Sequence, residues 1–202
     1  SITVGGGVDN IVGNAFTSQT GLVATAAEDI TGNTIDAQGA VTLTANEDAS
    51  GNQIDVLGNY AVTVTATTGE ISGGSIETDG NVDLDAELDI VGVVINATGT
   101  VDVGMATGTG APQAENIVDL TVDAEGAVQF RADETIQGGA ILGGSTVALT
   151  ATNGDINGIE VRGAGLVTAT AASDILAGSF MSDTSNVTLT ATAGNITGTS
   201  VQ

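Results

Sequence analysis

A short segment of alternating apolar and polar residues recurs along the whole chain. Its clearest copies read Val-Thr-Leu-Thr-Ala, or a close variant, and begin at Val41, Val62, Val167 and Val187. Weaker copies complete a series of ten, whose first residues are Ile2, Leu22, Val41, Val62, Val82, Val101, Val128, Val147, Val167 and Val187. Successive first residues are 19 to 21 positions apart, except for the 27 positions between Val101 and Val128. A repeat of nearly constant length predicts a stacked repeat architecture.

Two more apolar positions keep the same register in every copy. The first of them is occupied by Ile11, Ile30, Ala49, Ile71, Ile90, Ile117, Ile136, Ile156, Ile175 and Ile196. The other lies five residues later and is occupied by Phe16, Ile35, Ile54, Ile76, Ile95, Val122, Ile141, Val161, Phe180 and Val201. Eight copies place a glycine two residues after the first of these positions, at Gly13, Gly32, Gly51, Gly73, Gly92, Gly138, Gly158 and Gly198. Three apolar columns and one glycine column therefore define the repeat.

The alternation has a period of two, so Val41, Leu43 and Ala45 should face one side of a strand while Thr42 and Thr44 face the other. The Gly, Asn, Asp and Ser residues between such segments favour corners. We therefore predict an all-β fold, a single-stranded parallel β-helix or β-solenoid of about ten rungs of roughly 20 residues, with residues 1–202 as one domain. At the ~4.8 Å separation of paired strands, ten rungs form a rod on the order of 48 Å long.

The longest interval and the two ends depart from the simple repeat. The interval between Val101 and Val128 contains the only proline, and the pattern resumes at Ile117, so we predict a loop insertion at residues 107–116. Neither terminal copy is unusually polar, although free ends of such arrays need protection from edge-to-edge pairing. We therefore expect either a segment of a longer chain or a filament subunit whose copies associate end to end.

The charge of the chain restricts its partners. Asp and Glu total 25 and Lys and Arg total 2, which gives a formal net charge of −23. Nucleic acids and anionic membranes require a basic surface, so we expect neither as a partner. The chain has no apolar run near the ~20 residues that a transmembrane helix needs, which predicts no membrane insertion. It also has no cysteine, which excludes disulfides and thiolate metal sites.

Catalytic side chains are scarce. The chain has no His and no Lys, and Arg131 and Arg162 belong to different segments of different copies. Asp83 and Asp85 are the best carboxylate pair for a glycosidase-like reaction, and both should point outward from one strand. We interpret them as solvated charges with nothing nearby to raise a pKa, and we predict that the protein is not an enzyme.

Threonine rows are the candidate functional surface. The outward positions of the clearest copies should form two ladders on one face, made of Thr42, Thr44, Thr63, Thr65, Thr168, Thr170, Thr188 and Thr190. Such rows resemble the ice-binding face of hyperactive antifreeze proteins, which gives the first alternative function. Charged residues such as Asp83 and Asp85 interrupt the rows, and Thr is a good strand residue in any case, so a structural role is favoured.

No cofactor is expected. Gly5-Gly-Gly-Val-Asp9 is only faintly similar to calcium-binding nonapeptides and occurs once, so we interpret it as a turn. Adventitious Ca²⁺ among the corner carboxylates is compatible with the loose oxygen coordination of that ion.

The order of motifs in one copy is similar to that of a known family. Val-Thr-Leu-Thr-Ala is followed by Gly-Asn-Ile-x-Gly and a third apolar segment, most closely between Val187 and Val201. This pattern resembles the repeats of filamentous-haemagglutinin-type exoproteins of two-partner secretion systems and of other large bacterial adhesins. The resemblance implies a right-handed β-helix, secretion to the cell surface and a role as a structural or adhesive rod with glycans as possible partners. A polysaccharide-binding or polysaccharide-acting β-helix is the second alternative.

Overall fold

A computed structural model describes residues 1–5, 7–104 and 113–202 and confirms the predicted β-solenoid. All secondary-structure elements in these ranges are β-strands, and they form three parallel sheets of ten strands each. Each rung contributes one strand to each sheet. None of the described residues forms a helix that could cross a membrane.

We number the strands in chain order and the sheets by the order in which a rung visits them. The first sheet contains β1 (Ile2–Val4), β4 (Leu22–Ala26), β7 (Val41–Ala45), β10 (Val62–Ala66), β13 (Val82–Ala86), β16 (Val101–Val103), β19 (Val128–Ala132), β22 (Val147–Ala151), β25 (Val167–Ala171) and β28 (Val187–Ala191). The second contains β2 (Ile11–Val12), β5 (Ile30–Thr31), β8 (Ala49–Ser50), β11 (Ile71–Ser72), β14 (Ile90–Val91), β17 (Asn116–Val118), β20 (Thr135–Gln137), β23 (Ile156–Asn157), β26 (Ile175–Leu176) and β29 (Ile196–Thr197). The third contains β3 (Ala15–Ser18), β6 (Thr34–Ala37), β9 (Gln53–Val56), β12 (Ser75–Thr78), β15 (Val94–Ala97), β18 (Thr121–Ala124), β21 (Ala140–Gly143), β24 (Glu160–Gly163), β27 (Ser179–Ser182) and β30 (Ser200–Val201).

The three apolar columns form the core in the predicted register. Val41 pairs with Val62 in the first sheet, and Ile90 pairs with Ile117 in the second, so like residues stack on like. The column that begins at Ile11 is buried down to Ile175. Burial of these side chains is the main source of stability for such a thin core, because aromatic residues make up only 2% of the chain.

The corner after each second-sheet strand uses the glycine column. All eight glycines of the column have positive φ, between 59° and 65°, a backbone conformation that costs other residues steric strain. In the two rungs without this glycine, Asp119 and Ala177 occupy the corner and are the non-glycine residues with positive φ in the described ranges. The glycine pattern therefore reports a conformation that all ten rungs share.

A ladder of asparagines stabilises the same corner near the N-terminal end. Asn33 and Asn52 are buried, and Asn33 Nδ2 donates hydrogen bonds to the Ile11 carbonyl and to Asn52 Oδ1. Asn52 Nδ2 donates in turn to the Ile30 carbonyl. Each amide thus satisfies backbone and side-chain groups that burial would otherwise leave unpaired.

The predicted insertion has a different downstream boundary. Residues 107–112 of the predicted range lie outside the described residues. Ala114 is fully buried, Glu115 donates its backbone N–H to the Leu88 carbonyl, and Asn116 begins strand β17. The solenoid therefore resumes by Ala114, because its carbonyl accepts the backbone N–H of Asp133 as the Ala132 carbonyl accepts that of Thr152 in the next rung.

Candidate functional site

The predicted threonine rows lie on the outer face of the first sheet. Thr42 pairs with Thr63 and Thr44 with Thr65, which makes a compact patch across strands β7 and β10. A second patch lies across β25 and β28, where Thr168 pairs with Thr188 and Thr170 with Thr190. All eight side chains are partly or fully exposed.

The structure does not bring these two patches together. Strands β13, β16, β19 and β22 lie between them in the first sheet. Their outward positions include Asp83, Asp102, Gln129 and Ala148, which pair in consecutive rungs. A continuous threonine surface is therefore absent from the outer face that the structure describes between β7 and β28.

The interrupting carboxylates have an environment that the alternation alone did not reveal. Asp83 is half-buried, but Asp85 is only 4% exposed, although it occupies an outward position. Burial of its carboxyl group, reinforced by the charges of Asp83 and Asp102, raises the pKa of Asp85 to about 7. The prediction that nothing nearby raises a pKa in this pair is therefore wrong for Asp85.

Asp102 belongs to the same group of carboxylates. It pairs with Asp83 across strands β13 and β16, and burial raises the pKa of its carboxyl group as well. Arg162 makes a two-point contact with Asp183, with Nε 3.0 Å from Oδ1 and Nη2 3.2 Å from Oδ2. Arg131 lies in β19 with an exposed side chain, in the strand next to β16.

Corner carboxylates have a structural use of their own. Asp29 Oδ1 accepts the backbone N–H of Asp48, and Asp48 Oδ1 accepts that of Glu70. The same contact recurs in the C-terminal half, where Asp155 Oδ1 accepts the backbone N–H of Asp174 at 2.8 Å. These corner carboxylates therefore accept hydrogen bonds that link one rung to the next.

A polar groove runs along the outer face of the third sheet. One part, of about 350 Å³, is lined by Thr34, Asp36, Gln53, Asp55, Ser75 and Glu77. A second part, of about 290 Å³, shares Asp55 and Glu77 and extends to Leu57, Asp79, Asn96 and Thr98. We call this the third-sheet groove. Asp36, Asp55 and Glu77 are in register in adjacent strands, so three carboxylates line its floor in a row.

Metal ligands are not clustered in the described ranges. No group of three or more Asp or Glu side chains there is placed to hold a metal ion. The segment Gly5–Asp9 contains position 6, which lies outside the described residues, so the turn interpretation of this segment stays a prediction.

Comparison of the chain with protein-family models, with curated proteins and with solved structures found no match. The resemblance of its repeats to secreted adhesins therefore rests on the residues of the repeat itself.

Sequence reasoning missed both the buried carboxylate and the third-sheet groove. One signal for the buried carboxylate was available, because Asp85 lies one rung before the 27-residue interval, where the regular outer face must change. The groove had a signal in the row Asp36, Asp55 and Glu77, which share one position in three successive copies.

Proposed function

We propose that this protein is an extracellular structural or adhesive rod, an adhesin stalk or a filament subunit, without catalytic activity. The observation that carries the proposal is the unbroken register of ten rungs in all three sheets. The similarity of the repeats to those of filamentous-haemagglutinin-type exoproteins supports secretion to the cell surface.

The architecture suits a mechanical or spacing role. Each inner strand pairs with a strand on both sides, so the main-chain hydrogen bonds run along the rod from rung to rung. Ten rungs at ~4.8 Å extend on the order of 48 Å with a narrow cross-section. A rod of this form is long for the number of residues that it contains, which suits a spacer.

The adhesive part of the proposal concerns the third-sheet groove. Its lining combines hydroxyl, amide and carboxylate groups, which can donate to and accept from the hydroxyls of a glycan. The groove crosses several rungs, so an extended polysaccharide could contact equivalent side chains in succession. A row of carboxylates favours neutral or amino sugars over uronic acids, because like charges repel.

Retention on a panel of immobilised neutral, amino and acidic polysaccharides tests this proposal. We expect the protein to be retained on neutral or amino glycans without release of reducing ends. The double variant Gln53→Ala and Asp55→Ala should lose retention, whereas Glu160→Ala, an exposed position on the same sheet outside the groove, should keep it. Release of reducing ends, or equal retention of both variants, would contradict the proposal.

The filament version has a separate test. Strands β28, β29 and β30 each pair on one side only, and Ile196 and Val201 are 43% and 52% exposed. Electron microscopy and sedimentation of the purified 202-residue chain should show linear assemblies. Compact single particles at all concentrations would remove the filament subunit from the proposal and leave the stalk.

A further inference from the structure

Asp85 is buried at a position where its neighbours are accessible. The residue occupies the outward row of the first sheet that contains Thr44 and Thr65, and Thr65 is its direct partner in β10. Both threonines are partly exposed, whereas Asp85 is 4% exposed. Burial at this point is therefore a local property of the rung and not of the row.

One oxygen of the buried Asp85 carboxyl group has no hydrogen-bond partner among the described residues. Within the described ranges, Asp85 Oδ1 and Asp102 Oδ1 are buried without a hydrogen-bond partner, and so is Gln113 Nε2, which lies next to the buried Ala114. An ionised carboxylate without hydrogen bonds or a cation is costly to bury, so a buried acid of this kind tends to take up a proton.

The charged groups around Asp85 are of one sign on the nearest strands. Its own strand contributes Asp83, and β16 contributes Asp102, while β10 presents Thr63 and Thr65. The nearest cation in the register is Arg131 in β19, whose side chain is exposed. Glu115 is also exposed, and residues 105–112 contain no ionisable side chain in their sequence.

The ladder beside Asp85 is short. Among the described residues, strands β13 and β16 form three residue pairs, from Val82–Val101 to Leu84–Val103, before the chain turns at Gly104 with a φ of 68°, whereas β10 and β13 form five pairs. Strands β16 and β19 also form three pairs. Local opening requires less free energy where fewer strand pairs are broken, so we expect the described part of this ladder to open more readily than the five-pair ladder of β10 and β13.

We propose that Asp85, with Asp83 and Asp102, forms a pH-sensitive joint in the middle of the rod: the neutral carboxyl group of Asp85 keeps β13 and β16 together, and its ionisation opens their shortened ladder. This joint goes beyond the proposed function as a rod. It allows the ladder between β13 and β16 to open reversibly while the other ladders stay closed.

The direction of the pH effect follows from the raised pKa of the Asp85 carboxyl group. The pKa of Asp85 is raised from 3.8 to about 7 in the closed joint by burial and by its acidic neighbours, and the open joint restores the ordinary value. The closed form therefore binds the proton more tightly than the open form. The free energy needed to open the joint is highest at pH values below the ordinary pKa of 3.8. It declines as the pH rises towards about 7 and is constant at higher pH.

Hydrogen exchange tests the joint, because it resolves individual ladders in a repeat protein that need not unfold in one step. Protection factors, corrected for intrinsic exchange, are measured for amides of β13 and β16 and, as an internal reference, of β7 and β10. We expect protection at the joint to fall by up to about tenfold per pH unit from about pH 4 to about pH 7, and the reference to stay constant.

Two variants make the result specific. Asp85→Asn mimics the neutral acid and should remove the pH dependence at the joint while keeping its protection high. Glu160→Gln removes one charge from an exposed position and should leave the pH dependence unchanged. An Asp85→Asn profile identical to that of the original protein would overturn the proposal. Restored protection near pH 8 on addition of calcium chloride would also overturn it, because a cation and not a proton would then neutralise the group.

Discussion

At the scale of single residues, the corner after the second-sheet strand sets a clear requirement. Ala177 has a φ of 51°, in a conformation that the glycine column supplies elsewhere. The left-handed region costs an L-residue roughly 1–2 kcal/mol, and part of this is offset because glycine loses more entropy on folding. We predict that Ala177→Gly raises the free energy of unfolding by about 0.5–1 kcal/mol, measured as protection of amides in β26 and β29.

The reverse substitution provides the control. Gly158 has a φ of 65°, and a Cβ atom placed on it would meet no atom within 4 Å. Gly158→Ala should therefore lower the local free energy of unfolding by about 1 kcal/mol through backbone conformation alone. A shift of the same sign in both variants would contradict this explanation.

The amino-acid types predicted which inward side chains are buried far better than they predicted the surroundings of outward side chains. Apolar side chains with a period of two can be buried only on one face, so the columns of Val41 and Ile30 were predictable from spacing. The burial of Asp85 depends on what covers an outward position, and alternation carries no information on that. The positive φ of Ala177 was not predictable for a related reason, because alanine as a residue type does not indicate a left-handed corner.

At the scale of the strands, the second sheet contains one underfilled position. Ala49 in β8 pairs with Ile30 on one side and Ile71 on the other, so a small side chain interrupts a column of isoleucines. A cavity of about 20 Å³ lies beside it, lined also by Val64 and Leu84. The register that defines the column therefore also identifies Ala49 as the position where the column is underfilled.

Filling this cavity should stabilise the rod. Ala49→Val adds two carbon atoms to a buried site, and each buried methylene contributes about 0.8 kcal/mol, so we predict a gain of about 1–1.5 kcal/mol. The gain is measured as slower amide exchange in β8 and β11. Ala45→Val is the matched control, because Ala45 pairs with Ala26 and Ala66 in a column of alanines, where added volume should destabilise. Destabilisation by both substitutions would show that the cavity is too small to accept a methyl group.

At the scale of the whole molecule, charge opposes a fold that hydrophobic burial stabilises. The net charge is −23, and the described residues contain one ion pair, between Arg162 and Asp183. Strand pairing places carboxylates in register, as with Asp36 and Asp55, at about the ~4.8 Å separation of strands. That distance is shorter than the ~10 Å screening length at 0.1 M salt, so neighbours along the rod repel each other at low ionic strength.

Added salt should therefore stabilise the rod. We predict that the temperature of thermal unfolding rises as sodium chloride increases, with an equal rise in potassium chloride because screening depends on ionic strength and not on the cation. Asp55→Asn removes the middle carboxylate of the row Asp36, Asp55 and Glu77 and should reduce this salt dependence, whereas Gln53→Asn in the same strand should not. An unfolding temperature independent of salt would mean that hydrogen bonds and solvent already compensate the charge. A much larger rise in calcium chloride of equal ionic strength would instead indicate specific binding by carboxylates, and would move the origin of the effect from the whole rod to a defined site.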